Sequence, residues 1–372
     1  MLDLKDKKNK PPEHEVYNKL AEKYRLIGDT HFLELLKLLM TPEEGKYLLE
    51  LDKPKTPAEV AQNLGVDEKT AAAKMDNLTR RGLLFRGKTQ YLAWMDAHQL
   101  KARVMFSAEE YTPAGLLEHR RRDERYITSP HAEIHLWLKL FEMTGKPLIR
   151  VIPARKAIAA NPKIKPEQVL WYENIEEMLK RAGKIGVVDC DCRRIYGSCD
   201  KPLLNCLHFG NMVDYEVGRG GRMKAITIEE AIAICDEAEE AGLVHNTPGN
   251  NASLSGVICN CCNDCCSTFE PALHSGRINE IVAPSRFQAI VNQELCKGCQ
   301  QCVERCPFGA IETQEVAGSD KPKALVNKDK CLGCGVCVIG CKQKAMTFEL
   351  VRPPEFIPPK PDFKQPLAFT VY

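Results

Sequence analysis

Thiols are the reactive groups this sequence concentrates. All 18 cysteines lie between Cys190 and Cys341, and the rest of the chain has none. Clustered thiolates suit soft metal ions in a reducing compartment and disulfides in an oxidising one, so compartment decides between the two chemistries. The start, MLDLKDKKNKPPEH, has no apolar core of the kind a secretory signal needs, and no uncharged apolar run is long enough to span a bilayer. Both features predict a cytosolic protein whose cysteines bind metal.

An internal repeat carries the strongest signal. Ala289-Ile-Val-Asn-Gln-Glu-Leu-Cys-Lys-Gly-Cys-Gln-Gln-Cys-Val-Glu-Arg-Cys-Pro matches Ala324-Leu-Val-Asn-Lys-Asp-Lys-Cys-Leu-Gly-Cys-Gly-Val-Cys-Val-Ile-Gly-Cys at constant offset. Each half reads strand, CxxCxxCxxxC, short helix, then Ala310-Ile311 or Ala345-Met346. Three thiolates two residues apart, on a loop curved by Gly298 or Gly333, can grip three irons on one face of a cubane. The fourth thiol of the run cannot join them.

Over about 60 residues this segment resembles the bacterial two-[4Fe–4S] ferredoxin family. The resemblance implies a C-terminal ferredoxin-like domain with two [4Fe–4S] clusters and ligands crossed between the halves. One set is Cys296, Cys299, Cys302 and Cys341; the other is Cys331, Cys334, Cys337 and Cys306. Pro307 follows Cys306 as in the family, whereas Lys342 follows Cys341, which costs the second half a rigid turn but no ligand. Such a module moves one electron per cluster, so its function is set by what lies at each end. Zinc sites seldom need eight thiolates in this duplicated order.

Ten cysteines lie upstream. Thr227-Ile-Glu-Glu230 is a capping box opening a helix that places Cys235 on an apolar side, so Cys235 is read as a core residue. The other nine form two groups: Cys190, Cys192, Cys199 and Cys206 in DCDCRRIYGSCDKPLLNCLHFG, and Cys259, Cys261, Cys262, Cys265 and Cys266 in ICNCCNDCC. Both groups are rich in loop-forming Gly, Asn, Asp or Pro and match neither a zinc ribbon nor an ordinary ferredoxin. At least one further metal centre is expected. The first group could complete a cubane alone, while Cys261-Cys262 could share that site or hold its own cluster; one or two further iron–sulfur clusters fit equally. The arrangement resembles a group of iron–sulfur proteins of strict anaerobes, in which CxCR...C...CLxFG and ICNCC segments precede a dicluster ferredoxin domain. That resemblance covers Pro147 to Thr347 and implies an electron-transfer partner of a larger redox system.

These sites need positioning elements. The 372 residues exceed one compact domain, and 52 basic against 50 acidic side chains remove the signature of a dedicated nucleic-acid or membrane-surface binder. The expected class is α+β: a disordered lead over 1–14, a winged-helix-like domain over 15–105, a central α/β cysteine-rich domain over 106–286, the ferredoxin domain over 287–350 and a proline-rich arm over 351–372. Apolar spacing predicts two helices between Val16 and Leu51. Thr56, Pro57 and Glu59 open another, Gly65-Val66-Asp67 turns the chain, a helix follows over Glu68–Arg81, and a hairpin runs from Leu83 to near Tyr91-Leu92. The second of these helices carries Lys69, Lys74, Arg80 and Arg81, but Ala71-Ala72-Ala73 and nearby Asp67, Glu68 and Asp76 suit base reading poorly. Protein docking or dimerisation is the favoured role for this module.

Pro147 to Ile152 reads as a strand and Ile175 to Arg181 as a helix. His131 and His135 lie one helical turn apart without an HExxH signature and are assigned to a helix face. Gly218-Arg-Gly-Gly-Arg222 is read as a turn in preference to an anion-binding nest, and His208 and His245 as hydrogen-bonded structural residues. The expected function is an oxygen-sensitive electron carrier or oxidoreductase component with redox-protein partners. Its rivals are a redox-sensing winged-helix regulator on DNA and an enzyme acting at an open iron in the upstream cysteine region.

Overall fold

The computed structural model describes residues 12–94, 96–125, 128 and 132–360. The lead before residue 12, His131 and the arm beyond residue 360 lie outside the described residues. The chain divides into two compact units, residues 1–123 with 214–222 and residues 124–213 with 223–372.

The first unit is mainly helical. Its helices include Pro12–Lys23, Thr30–Leu39, Pro42–Glu50, Pro57–Leu64, Glu68–Arg80 and Ala97–Met105, with a hairpin of β1 (Leu84–Arg86) and β2 (Tyr91–Ala93) after the fifth. Where apolar spacing predicts two helices before Leu51, there are three. Thr41 and Glu44 form a reciprocal capping box with Pro42 in the first turn, and this restarts the helix after Met40. The same device at Thr56 and Glu59 opens the next helix, which Gly65 closes at φ +67°. Leu20, Phe32, Leu36, Leu48 and Leu78 fill the interior.

Residues 214–222 are fastened to this unit by a buried charge cluster. Glu216 pairs with Arg219 at 2.5 Å and with Arg103 at 3.3 Å. Arg219 also donates to the Ser107 hydroxyl at 3.1 Å and to the Arg80 and Arg103 carbonyls. The arginines of the Gly218–Arg222 turn are therefore spent on internal partners.

The second unit centres on a seven-stranded mixed sheet. Its strands are β3 (Ile149–Val151), β4 (Ile185–Asp189), β5 (Leu204–Phe209), β6 (Lys224–Ile226), β7 (Val244–Pro248), β8 (Val257–Cys261) and β9 (Val282–Ala283), ordered β6-β4-β5-β8-β7-β3-β9. Only the β3–β9 pair is parallel among these neighbours. Helices Ile175–Arg181 and Ile228–Glu240 bury Met178, Leu179, Ala231 and Cys235 against Val187, Leu207 and Ile258. A second apolar cluster joins Trp137 and Leu138 of helix Glu133–Thr144 and Phe269 of helix Phe269–His274 to Ile149, Val151 and Val244.

The repeat folds on two antiparallel pairs, β10 (Phe287–Val291) with β13 (Met346–Leu350) and β11 (Ile311–Gln314) with β12 (Lys323–Val326). Its halves share their backbone irregularities. Gly298, Gln300 and Gly309 are left-handed in the first half, as are Gly333, Gly335 and Lys344 at the matching positions of the second. Lys344 takes the turn that Gly309 takes after Pro307, so the second half makes it without a proline. Among the described residues no helix is long and apolar enough to cross a membrane.

Candidate metal centres

Two hollows in the repeat are each lined by thiols from both halves. Cys296, Cys299 and Cys302 line one with Cys341, and Cys331, Cys334 and Cys337 line the other with Cys306. Matched backbone bonds shape the loops. Cys296 donates its N–H to the Asn292 carbonyl at 3.1 Å and Cys331 does the same to Asn327 at 3.1 Å. The crossing thiols accept in turn: Cys306 Sγ from the Ala310 N–H at 3.3 Å, Cys341 Sγ from the Met346 N–H at 3.4 Å. Burial pushes the Cys302 thiol up to about 11, and burial with neighbouring thiols holds Cys337 well above the usual range. Bare thiolates are costly in such hollows, and a cationic iron core removes that cost while taking one thiolate per iron, so the residues present fit a pair of [4Fe–4S] clusters.

Upstream, the structure regroups the nine cysteines across the two sequence segments. Cys190, Cys192, Cys266, Cys261, Cys259 and Cys206 form a succession of neighbouring thiols, each near enough to shift the ionisation of the next. Cys199 is absent from that set of six; its Sγ lies 3.9 Å from Cys262 Sγ and 3.6 Å from Cys265 Sγ. Cys199 of the first segment thus lies against Cys262 and Cys265 of the second, while Cys190, Cys192 and Cys206 neighbour Cys259, Cys261 and Cys266.

Strand geometry accounts for the six. Cys259 and Cys261 are two apart on β8 and face the same way. Cys206 stands next to Leu207, the residue paired with Ile258, so antiparallel register brings it to Cys259. A register shift at Val188/Asp189 ends the regular pairing of β4 just before Cys190, which caps helix Asp191–Tyr196 and carries Cys192 inward. Bonding to a neighbouring sulfur and then burial hold Cys190, Cys259, Cys261 and Cys266 well above the usual thiol range. Cys192, beside the thiols of Cys190 and Cys266, is held well below it. Six ionised sulfurs at such spacing repel strongly without a cationic core.

Arg193 stands between the two thiol sets. It is 3% exposed, and its guanidinium donates to the Asn260 carbonyl at 3.1 Å and to Cys262 Sγ at 3.7 Å. The six-thiol set also adjoins the repeat: Cys261, Cys266, Phe269, Phe308 and Cys334 belong to one apolar cluster, with Cys259 and Cys306 against it.

His245 is held between Asn260, through Nδ1, and Glu239, 3.2 Å from Nε2, as a buried structural residue. His208 Nε2 lies 3.5 Å from Cys206 Sγ. His135 is on helix Glu133–Thr144. In the first unit, sequence reading missed a cluster of His31, Glu34 and His119, whose ligating atoms lie within 4.8 Å of one another. The three-residue step from His31 to Glu34 was a visible signal, but His119 lies far along the chain. Glu34 is paired with Arg122 at 3.5 Å, which satisfies its carboxylate without a metal.

Residues 295–345 match the family described as 4Fe-4S dicluster domain. A 50-residue stretch is 40% identical to "Translation initiation factor RLI1" of Chaetomium thermophilum (strain DSM 1495 / CBS 144.50 / IMI 039719), covering 13% of this chain and 8% of that protein. The likeness to that relative is confined to a small part of each chain.

Proposed function

We propose that this chain is an iron–sulfur electron-transfer protein, or subunit, of an anaerobic redox system. Electrons enter or leave through two [4Fe–4S] clusters held by the crossed sets and pass to a metal centre on the upstream cysteines. The observation that carries this reading is the continuity of the thiol sites. The set containing Cys306 and Cys334 shares an apolar body with Cys259, Cys261 and Cys266, which supports an electron acceptor or donor site beside the dicluster module. The clusters supply one-electron chemistry when bound; the chain's own residues orient the sulfurs and donate N–H groups to Cys306 and Cys341. Partners are redox proteins or a larger oxidoreductase.

The test is anoxic reconstitution with iron and sulfide quantitation and EPR. A variant retaining only the last eight cysteines should hold about eight irons and bleach with dithionite. Protein that takes up no inorganic sulfide overturns the reading.

A second reading, a redox-sensing regulator with a winged helix on DNA, draws on the exposed Lys69, Thr70, Asn77 and Arg80 of helix Glu68–Arg80 beside the β1–β2 hairpin. It is the weaker one, because Lys74 and Arg81 are both engaged by Glu44, at 3.9 and 2.7 Å. Salt-dependent duplex binding that differs between oxidised and reduced protein would favour it.

A further inference from the structure

The two vicinal cysteine pairs are split. Cys261 and Cys266 turn into the six-thiol set, while their neighbours Cys262 and Cys265 turn towards Cys199. The Asp264 carboxylate joins the latter, with a ligating oxygen and the three sulfurs all within 4.8 Å of one another. The thiols of Cys262 and Cys265 beside it help hold its pKa below the usual carboxylate value.

The spacing selects a single tetrahedral ion over a cubane. A tetrahedral ion with metal–sulfur bonds of about 2.3 Å holds its sulfurs about 3.8 Å apart. The separations from Cys199 are 3.9 and 3.6 Å, on either side of that value. A cubane is bound differently: each thiolate sits one bond outside its own iron, so its sulfurs stand much further apart. Three thiolates and a carboxylate complete a four-coordinate shell and leave no position for an extra sulfur. Arg193, donating to Cys262 Sγ, offsets part of the excess negative charge.

We propose that Cys199, Cys262, Cys265 and Asp264 hold a single divalent ion, zinc, as a redox-inert centre separate from the iron–sulfur clusters. The ion ties the loop after helix Asp191–Tyr196 to the 262–265 turn, and so fixes Cys261 and Cys266 on either side of that turn. It braces the six-thiol site without carrying electrons. The proposal rests on the reading that the upstream thiols bind metal.

The test uses the full chain purified and kept anoxic, with zinc and iron counted per chain and zinc-edge X-ray absorption recorded. One zinc per chain with three sulfurs and one oxygen in its shell is the expected result. Asp264→Cys should keep the zinc and convert the shell to four sulfurs. Cys199→Ala should lose the zinc while the EPR signals of the dicluster module persist. Zinc-free protein with full iron, or an Asp264→Cys variant whose shell is unchanged, overturns the inference and leaves the electron-transfer reading standing. A Cys199→Ala variant that loses a cluster's iron instead of zinc also overturns it. Absence of sulfide and iron from the wild-type chain is the separate result that sinks the electron-transfer reading.

Discussion

The rings of Phe269 and Phe308 meet edge to face with centroids 5.5 Å apart. Each is anchored beside a thiol of a different set: the Phe269 N–H donates to Cys266 Sγ at 3.4 Å, and Phe308 lies two residues after Cys306. If electrons pass between the dicluster module and the upstream site, this contact lies in the apolar cluster that the two share. Phe308→Leu keeps the site filled and apolar at a cost of about 1 kcal/mol, so iron content should be unchanged. Rapid-freeze EPR after a reducing pulse should show slower equilibration between the sites. An unchanged rate would remove the ring pair from the path.

Gly333 separates conformational cost from steric cost. It is left-handed at φ +65°, and a Cβ there would overlap the Phe287 carbonyl and stand 2.5 Å from Ser285 Oγ. Ser285 also donates to the Gly333 carbonyl at 2.6 Å, so the loop cannot back away. Gly309 is left-handed too, at φ +59°, but has open space around it. Gly309→Ala should cost about 1 kcal/mol and leave iron content intact. Gly333→Ala should cost more and lower the iron of the dicluster module by about half, as one of its two clusters is lost. Metal analysis with thermal unfolding of both variants distinguishes the two effects.

Glu173 and Arg286 form a fully buried ion pair at 3.0 Å, just before β10 enters the repeat. Arg286 also donates to the Gln168 and Arg352 carbonyls, each at 3.2–3.3 Å. Removing one partner strands the other charge away from water, so Glu173→Ala should destabilise the second unit by about 3–5 kcal/mol. The exposed Lys180–Glu176 pair at 2.8 Å provides the contrast; water screens it, so its loss should leave the unfolding midpoint nearly unchanged. Urea unfolding of the metal-loaded protein measures both.

Much of this was legible because the information is local. The repeat fixes left-handed turns at matching positions, and the capping boxes at Thr56 and Thr227 specify helix starts within four residues. The helix opened by Thr41 carried the same signal, but the continuing apolar period across Leu39 and Met40 masked it. The sorting of the upstream cysteines was not legible. It depends on β5–β8 register, which joins Cys206 to Cys259, and on a change of chain direction inside each vicinal pair, and neither is written in the spacing. The described part of the arm is likewise tied down by long-range contacts: Ile357 is buried and the Pro358 carbonyl accepts from Ala252 at 2.8 Å.

Lys23 predicts a pH dependence. Burial pushes its pKa down to about 8, and its ammonium donates to the Leu48 carbonyl at 2.6 Å. From about pH 8 to the unfolded value near 10.5 the folded chain has released this proton while the unfolded chain retains it. The unfolded state then binds more protons, so stability attributable to Lys23 rises with pH across that window. The buried Tyr24 hydroxyl, pushed up by burial, acts oppositely above pH 10, where the unfolded chain ionises first. Lys23→Met should remove the rise and retain the fall. Denaturant midpoints measured from neutral to alkaline pH, wild type minus variant, isolate the lysine; a flat difference would refute its assignment.

Cys235 tests whether thiol chemistry follows position or mere abundance. It is 2% exposed on helix Ile228–Glu240, clustered with Ile185, Val187 and Ile258, and burial holds its thiol well above the usual range. A neutral thiol among aliphatic side chains behaves as a small hydrophobe. Cys235→Ala should therefore cost about 1 kcal/mol through a small cavity, with iron, zinc and sulfide per chain unchanged. Cys192→Ala makes the comparison, since Cys192 neighbours two other thiols of the six-thiol set and its loss should deplete metal. Equal depletion in both variants would mean that Cys235 reaches a metal site, and that the division of the cysteines into core and ligand is wrong.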